Sequence, residues 1–183
     1  MTELALHILD IAHNSIAAKA TLIRIGVEAD SQKNALRITI ADDGCGMDAD
    51  FLKRVADPFS TTRTTRRVGL GIPLFKAAAE TAGGSFAIES AVGAGTTTSA
   101  VFRLDHIDRV PLGDLTETVA ALIYEGQTAE IELTYIVDGR TYVFDTREIK
   151  AVLGGGITDA VTLTYLKDML RENMTEINGG LEI

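Results

Sequence analysis

Cysteine is nearly missing: Cys45 is the only one in 183 residues. No disulfide can form within the chain, so an oxidising compartment is not needed to hold the fold together. Long hydrophobic runs are missing too. The chain is 46% hydrophobic, yet no stretch approaches the roughly 20 apolar residues that cross a bilayer. Met1-Thr2-Glu3 opens into an amphipathic stretch rather than a basic secretory leader. These features predict a cytoplasmic protein with no membrane partner. Positive charge is also short, with 17 Lys and Arg against 26 Asp and Glu for a net charge of −9. That balance weighs against general coating of nucleic acid. The cations that exist are concentrated: Lys53, Arg54, Arg63, Arg66 and Arg67 crowd one short stretch. Such a cluster suits an anionic ligand, and it also suits a solvated cationic loop.

Just after that cluster stands Val68-Gly69-Leu70-Gly71-Ile72-Pro73-Leu74. Two glycines bracket a bend where a side chain would block close approach. The alanine-rich stretch Ile72 to Thr81 then reads as a helix that stops at Gly83-Gly84. Pro73 fits its first turn, where a missing N–H costs nothing. Free amides and the positive dipole end make a place for phosphates. A close-packed turn would have the same pattern.

From the start of the chain, Leu4 to Ala18 predicts a helix with a broad apolar face containing Ile8, Ile11, Ser15 and Ile16. His7, Asp10 and Asn14 fall on another stripe. A carboxylate and an amide one turn apart can serve a metal-bound phosphate: an Asn oxygen suits Mg²⁺, and a carboxylate can act as general base. An ordinary solvent-facing polar stripe looks the same. Two alternating strands follow, Ile23 to Glu28 and Leu36 to Ile40, joined by a polar turn at Ser31 to Asn34. The second runs into Asp42-Asp43-Gly44-Cys45-Gly46-Met47. An acid at a strand end followed by glycines can accept an exocyclic amine, although such residues are also common turn formers. Asp48 to Ala56 reads as a short helix, and Pro58 to Val68 as a polar flap that a ligand would order. Phe86 to Glu89 and Thr96 to Leu104 read as further strands around Gly93-Ala94-Gly95. The order of elements predicts an α+β, two-layer α/β sandwich with helices on one face of a sheet.

The boxes in this order resemble the ATP-binding (Bergerat) domain shared by gyrase, the ninety-kilodalton heat-shock chaperones, histidine kinases and MutL, over residues 4 to 104. Asn14 stands where that family holds Mg²⁺. Asp42, Gly44 and Gly46 match its D-x-G-x-G, whose aspartate receives the adenine amine. Pro58-Phe59-Ser60-Thr61-Thr62 resembles the histidine-kinase F-box, Gly69-Leu70-Gly71 the second glycine box, and Gly93-Ala94-Gly95-Thr96-Thr97 the third. The resemblance implies ATP and Mg²⁺ as cofactors. It assigns nucleotide binding to Asn14, Asp42, Gly44, Gly46, Met47, Thr61, Thr62, Arg67, Gly69, Leu70, Gly71, Ile72 and Thr97, with Asn14 on the metal. Asp10 lies where hydrolysing members carry a catalytic glutamate, and it is shorter by one bond of about 1.5 Å. Ala17 replaces a residue that is usually polar or charged, and Arg67 stands where many relatives have another glycine.

Sensor kinases carry their phospho-acceptor histidine on a helical hairpin ahead of this domain. Here His7 and His13 lie within the first helix itself and His106 follows the last strand, so self-phosphorylation of the usual kind is not expected. Residues 105–183 fall outside the resemblance, with Pro111 and Gly113 at the boundary. They predict a small C-terminal α/β extension: a helix at Leu115 to Tyr124, a hairpin turning at Asp138-Gly139, and helices at Thr146 to Leu153 and Thr158 to Asn173. Val161, Leu166, Met169 and Leu170 form an apolar face for a partner or for the main sheet, and Asn178 onward is expected to fray. Two functions follow: phosphotransfer to a separate protein in signalling, as in the anti-sigma serine kinases this architecture resembles, or an ATP-dependent conformational switch with slow or no hydrolysis. A homodimer is compatible with either.

Overall fold

The computed structural model describes residues 2–55, 70–126 and 128–183. The chain runs α1 (Leu4–Ala17), β1 (Leu22–Asp30), β2 (Ala35–Asp42), α2 (Ala49–Val55), α3 (Gly71–Thr81), β3 (Ser85–Ala91) and β4 (Gly95–Arg103). It continues through α4 (Leu115–Glu125), β5 (Glu130–Val137), β6 (Arg140–Asp145), α5 (Thr146–Leu153) and α6 (Ala160–Asn178). All six strands form one sheet in the order β3-β4-β2-β1-β5-β6. Each pairing is antiparallel except β1 with β5, which is parallel over Leu22–Ala29 and Glu130–Val137.

Alternation decides which face is covered. Ile23, Ile25, Val27 and Ala29 of β1, Leu36, Ile38 and Ile40 of β2, and Ile131, Leu133, Tyr135 and Val137 of β5 are all buried. Their neighbours Arg24, Glu28 and Arg37 point to the other face and are exposed. Against the buried face α1 lays Leu4, Ile8 and Ile11, α3 lays Phe75, α4 lays Val119 and Leu122, and α6 lays Leu166 and Leu170. Each such side chain contributes about 1.5–3 kcal/mol on full burial. The architecture is the two-layer α+β sandwich that the order of elements predicts.

The C-terminal segment continues this sheet and shares its core. Reaching a parallel position beside β1 from β4 requires a crossover. Residues 104–114 and α4 supply it over the helical layer, where the Leu4 and Ala5 amides donate to the Pro111 and Leu112 carbonyls at 2.9 and 2.8 Å.

Three local expectations are corrected. His7 is not on a solvent-facing stripe: it is 3% exposed and its ring lies 5.5 Å from that of Phe75, because α3 covers that side of α1. The apolar face expected on α6 divides, with Leu166 and Leu170 buried and Val161 81% exposed. The inward stripe is Leu166, Leu170 and Met174, which repeats every fourth residue. The chain end does not fray, since Tyr135 Oη donates to Asn178 Oδ1 at 2.6 Å and the Leu112 amide donates to the Ile183 carbonyl at 3.1 Å.

Candidate functional site

Strand β2 ends at Asp42, and the loop behind it is shaped by two close approaches. Gly46 has φ +66°, and a Cβ there would collide with the Ala91 carbonyl oxygen; Gly95 has φ +83°, and a Cβ there would collide with the Asp42 carbonyl oxygen. Only glycine accepts both the left-handed conformation and the crowding. The Asp42–Met47 loop is thereby laid against the β3–β4 turn. Ser90 completes the seam: its Oγ accepts from the Met47 amide at 2.8 Å and donates to the Gly95 carbonyl at 2.8 Å.

Within this frame the Asp42 carboxylate is oriented from two sides. Ser15 Oγ donates to its Oδ2 at 2.6 Å and the Gly44 amide to its Oδ1 at 2.9 Å. A carboxylate has about four acceptor positions, so it keeps capacity for an incoming amine. Ser15 is 2% exposed, and the sequence reading placed it in the apolar face of α1. No local signal marked it, because its partner Asp42 lies 27 residues away. Asp43 does a different job. Its carboxylate accepts from the Thr21 and Leu22 amides at 2.7 and 2.9 Å and from Thr21 Oγ1 at 2.5 Å. These bonds, that of the Thr21 hydroxyl foremost, hold its carboxyl below the usual carboxylate range. Asp43 thus ties the loop to the start of β1.

Helix α1 brings Asp10 and Asn14 to the same end of the sheet. Asn14 is exposed and Asp10 half-buried, one turn apart on one face. Helix α3 meets α1 here: a Cβ added to Gly71 would lie 3.0 Å from Asp10 Cβ, so the glycine sets how closely the helices approach. Among the described residues, the first turn of α3, with Gly71 and Ile72, has no side-chain cap and no acidic residue. By contrast α4, α5 and α6 each begin under an aspartate, Asp114, Asp145 and Asp159. An uncapped helix start presents amides and positive dipole to an anion.

Of the residues expected at the site, Asp10, Asn14, Asp42, Gly44, Gly46, Met47, Leu70, Gly71 and Ile72 lie on these converging elements. Thr97 does not face Asp42. It pairs with Ala41, whereas Thr96 pairs with Asp42 itself, and residues opposite one another in an antiparallel pair share a face. Thr96 is therefore the threonine on the Asp42 side, which only the strand register reveals. Thr61, Thr62, Arg67 and Gly69, together with the flap from Pro58 to Val68, lie outside the described residues. Among the described residues no group of three or more His, Cys, Asp or Glu could hold a metal by itself. Asn14 supplies a hard neutral oxygen, which fits Mg²⁺ completed by water and phosphate oxygens.

Comparison with known proteins bears on this arrangement. The chain is 32% identical over 96 residues to the histidine protein kinase DivJ of Caulobacter vibrioides, covering 50% of this chain and 16% of that protein. It is 36% identical over 58 residues to the sensor protein kinase FleS of Pseudomonas aeruginosa, covering 32% and 14%. The chain therefore spans about a sixth or less of these relatives' length. Among solved structures, the Aquifex aeolicus MutL ATPase domain complexed with ADP aligns at a TM-score of 0.48 and 14% identity, over 85% of this chain and 70% of that one. Residues 2–106 match the family described as histidine kinase-, DNA gyrase B- and HSP90-like ATPase. That match covers more than half of the sequence and takes in the whole arrangement from α1 to β4, and the chain belongs to this ATPase family.

Proposed function

We propose that the chain binds Mg²⁺-ATP between α1, the Asp42 loop and the start of α3, and passes the terminal phosphoryl group to a separate protein in cytoplasmic signalling. The observation that carries this reading is the state of the polar groups at this end of the sheet. Asp42 is oriented by Ser15 and Gly44 and retains acceptor capacity, while the start of α3 is uncapped among the described residues beside Asp10. Adenine amine, phosphates and metal are the ligands that such groups accept. Asn14 would hold the metal, which neutralises phosphate charge when bound. Asp10 would take the proton from the attacking hydroxyl as the bond to phosphorus forms and ADP leaves. The acceptor is a protein side chain not contained in α1, and a homodimer is compatible with the scheme.

One observation favours the second reading, a nucleotide-controlled switch with slow or no turnover. Asp10 is the shorter acid and its Cβ lies against Gly71, which restricts its reach. Incubation with γ-labelled ATP and a cytosolic fraction separates the two: label on a protein supports transfer, and saturable binding without transfer supports the switch. Calorimetry tests the shared site. Asn14→Ala should weaken Mg²⁺-ATP more than metal-free ATP, and equal losses would remove Asn14 from the metal.

A further inference from the structure

The seam between α1 and α3 contains a buried histidine that the nucleotide reading does not use. His7 is 3% exposed, and its Nδ1 is sealed from solvent with no hydrogen-bond partner among the described residues. Its ring lies 5.5 Å from Phe75 at 31°. Phe75 in turn packs against Phe86 and Phe102, at 6.3 and 5.7 Å. Three residues further along α1, Asp10 lies against Gly71, which is four residues before Phe75 on α3. His7 with Phe75 and Asp10 with Gly71 are therefore successive contacts of one antiparallel helix seam, about one turn of roughly 5.4 Å apart.

Neutral imidazole tolerates this place, because a proton on Nε2 leaves Nδ1 as a bare lone pair. A second proton would put a positive charge, and an N–H with no acceptor among the described residues, into this buried seam beside Phe75. Burial is the main influence holding the imidazole neutral, and the positive amino end of the chain adds to it, while Asp10 one turn away pulls the other way. Charged groups on the neighbouring elements have partners of their own. Lys76 and Glu80 of α3 pair with each other at 4.0 Å, and Arg109, in the connection before α4, donates to the Leu104 and Val110 carbonyls.

We propose that His7 is a positioning residue: neutral, it packs α3 onto α1 and sets Asp10 against Gly71, and its protonation loosens that seam and weakens the nucleotide site in mild acid. The proposal rests on the nucleotide reading for its second half only. The sign follows from linkage. A histidine whose folded state favours the neutral form contributes stability that is present above its ordinary value of about 6.5 and lost as pH falls through its lower folded-state value. The window therefore opens below about pH 6.5.

The experiment compares the intact chain with His7→Leu, a swap of similar bulk that cannot titrate, at pH 7.5 and 5.5. Thermal melting reads the seam, and binding of ADP reads the site. The wild-type melting temperature should fall between the two pH values by several degrees more than that of His7→Leu. Wild-type ADP affinity should fall about fivefold more than the variant's, the low end of the coupling between two linked sites. Protonation of the nucleotide is common to both proteins and cancels. Parallel pH slopes in melting overturn the proposal. Parallel slopes in affinity with divergent melting overturn its link to the site. Absence of ADP binding to wild type at pH 7.5 overturns the nucleotide reading and leaves the seam judged by melting. If His7→Leu does not fold, imidazole NMR of the wild type decides: saturating ADP should lower the His7 titration midpoint, because coupling is reciprocal. An unmoved midpoint overturns the proposal.

Discussion

The two halves of the strand order treat polar groups in opposite ways. Around β5 and β6 they are closed against one another. Lys150 Nζ reaches both Glu130 oxygens at 2.8 and 2.9 Å, Arg147 joins Asp145 and Glu132, and Tyr135 meets Asn178. Around β2 and β4 the loop is fastened just as firmly by Asp43 and Ser90, yet Asp42 retains acceptor capacity and, among the described residues, α3 starts without a cap. Closed networks hold architecture together, whereas rigidly mounted groups with unused capacity mark a place for a ligand.

By that contrast, substitutions at the open end should change chemistry and those at the closed end should change stability. The largest effect is expected from Asp10→Asn. A positioned general base contributes about 10²–10⁴-fold, so turnover should fall by that factor in an ATPase assay while nucleotide affinity stays nearly constant. Asp10→Glu should raise turnover if reach is limiting. Both variants hydrolysing at the wild-type rate would reduce Asp10 to a surface carboxylate and favour the switch.

Leu133, fully buried at the centre of β5, is the counterpart. Leu133→Ala should cost about 2–5 kcal/mol, read as a lower urea midpoint, with the affinity of the remaining folded protein for ATP unchanged. An affinity loss measured well within the folded baseline would show that the two ends are not separable.

Asp42→Asn comes next. It replaces an acceptor-only group with one that also presents donors to an amine. A mismatch of about 1–3 kcal/mol lowers ATP affinity at least about fivefold, which calorimetry would detect; no change would move the adenine elsewhere. The smallest effect belongs to Tyr135→Phe, which removes the bond to Asn178. About 1 kcal/mol of stability should be lost, with no change in nucleotide binding. A larger drop in affinity than in stability would link the chain end to the site.

The secondary structure was largely legible because its signals are local. Alternation in Ile23 to Val27 and Leu36 to Ile40 is visible without partners, and Asp138-Gly139 marks the β5–β6 hairpin, where φ is +48° and +80°. The motif residues of the candidate site are proposed for the same reason: Asn14, Asp42 with Gly44 and Gly46, and Gly71 are each read from neighbours within a few positions. Partners separated by long stretches of chain were not. Ser15 and Asp42 are 27 residues apart, and nothing local distinguishes a serine that orients a carboxylate from one that fills an apolar face. His7 shows the converse, since its spacing with Asp10 and Asn14 suggests a polar stripe until α3 is laid over it.

What the sequence determined by itself was the set of elements, their two periodicities and the order of the boxes. Each of these depends on residues close enough in the chain for their backbone to be set by their own chemistry. The tertiary structure alone decided which face each element presents and to what. Strand register selected Thr96 over Thr97 for the Asp42 side, the crossover through α4 placed β5 parallel to β1, and the meeting of Gly71 with Asp10 fixed the seam that buries His7. These outcomes depend on contacts between residues far apart in sequence, and such contacts form only when distant apolar faces find one another and exclude water.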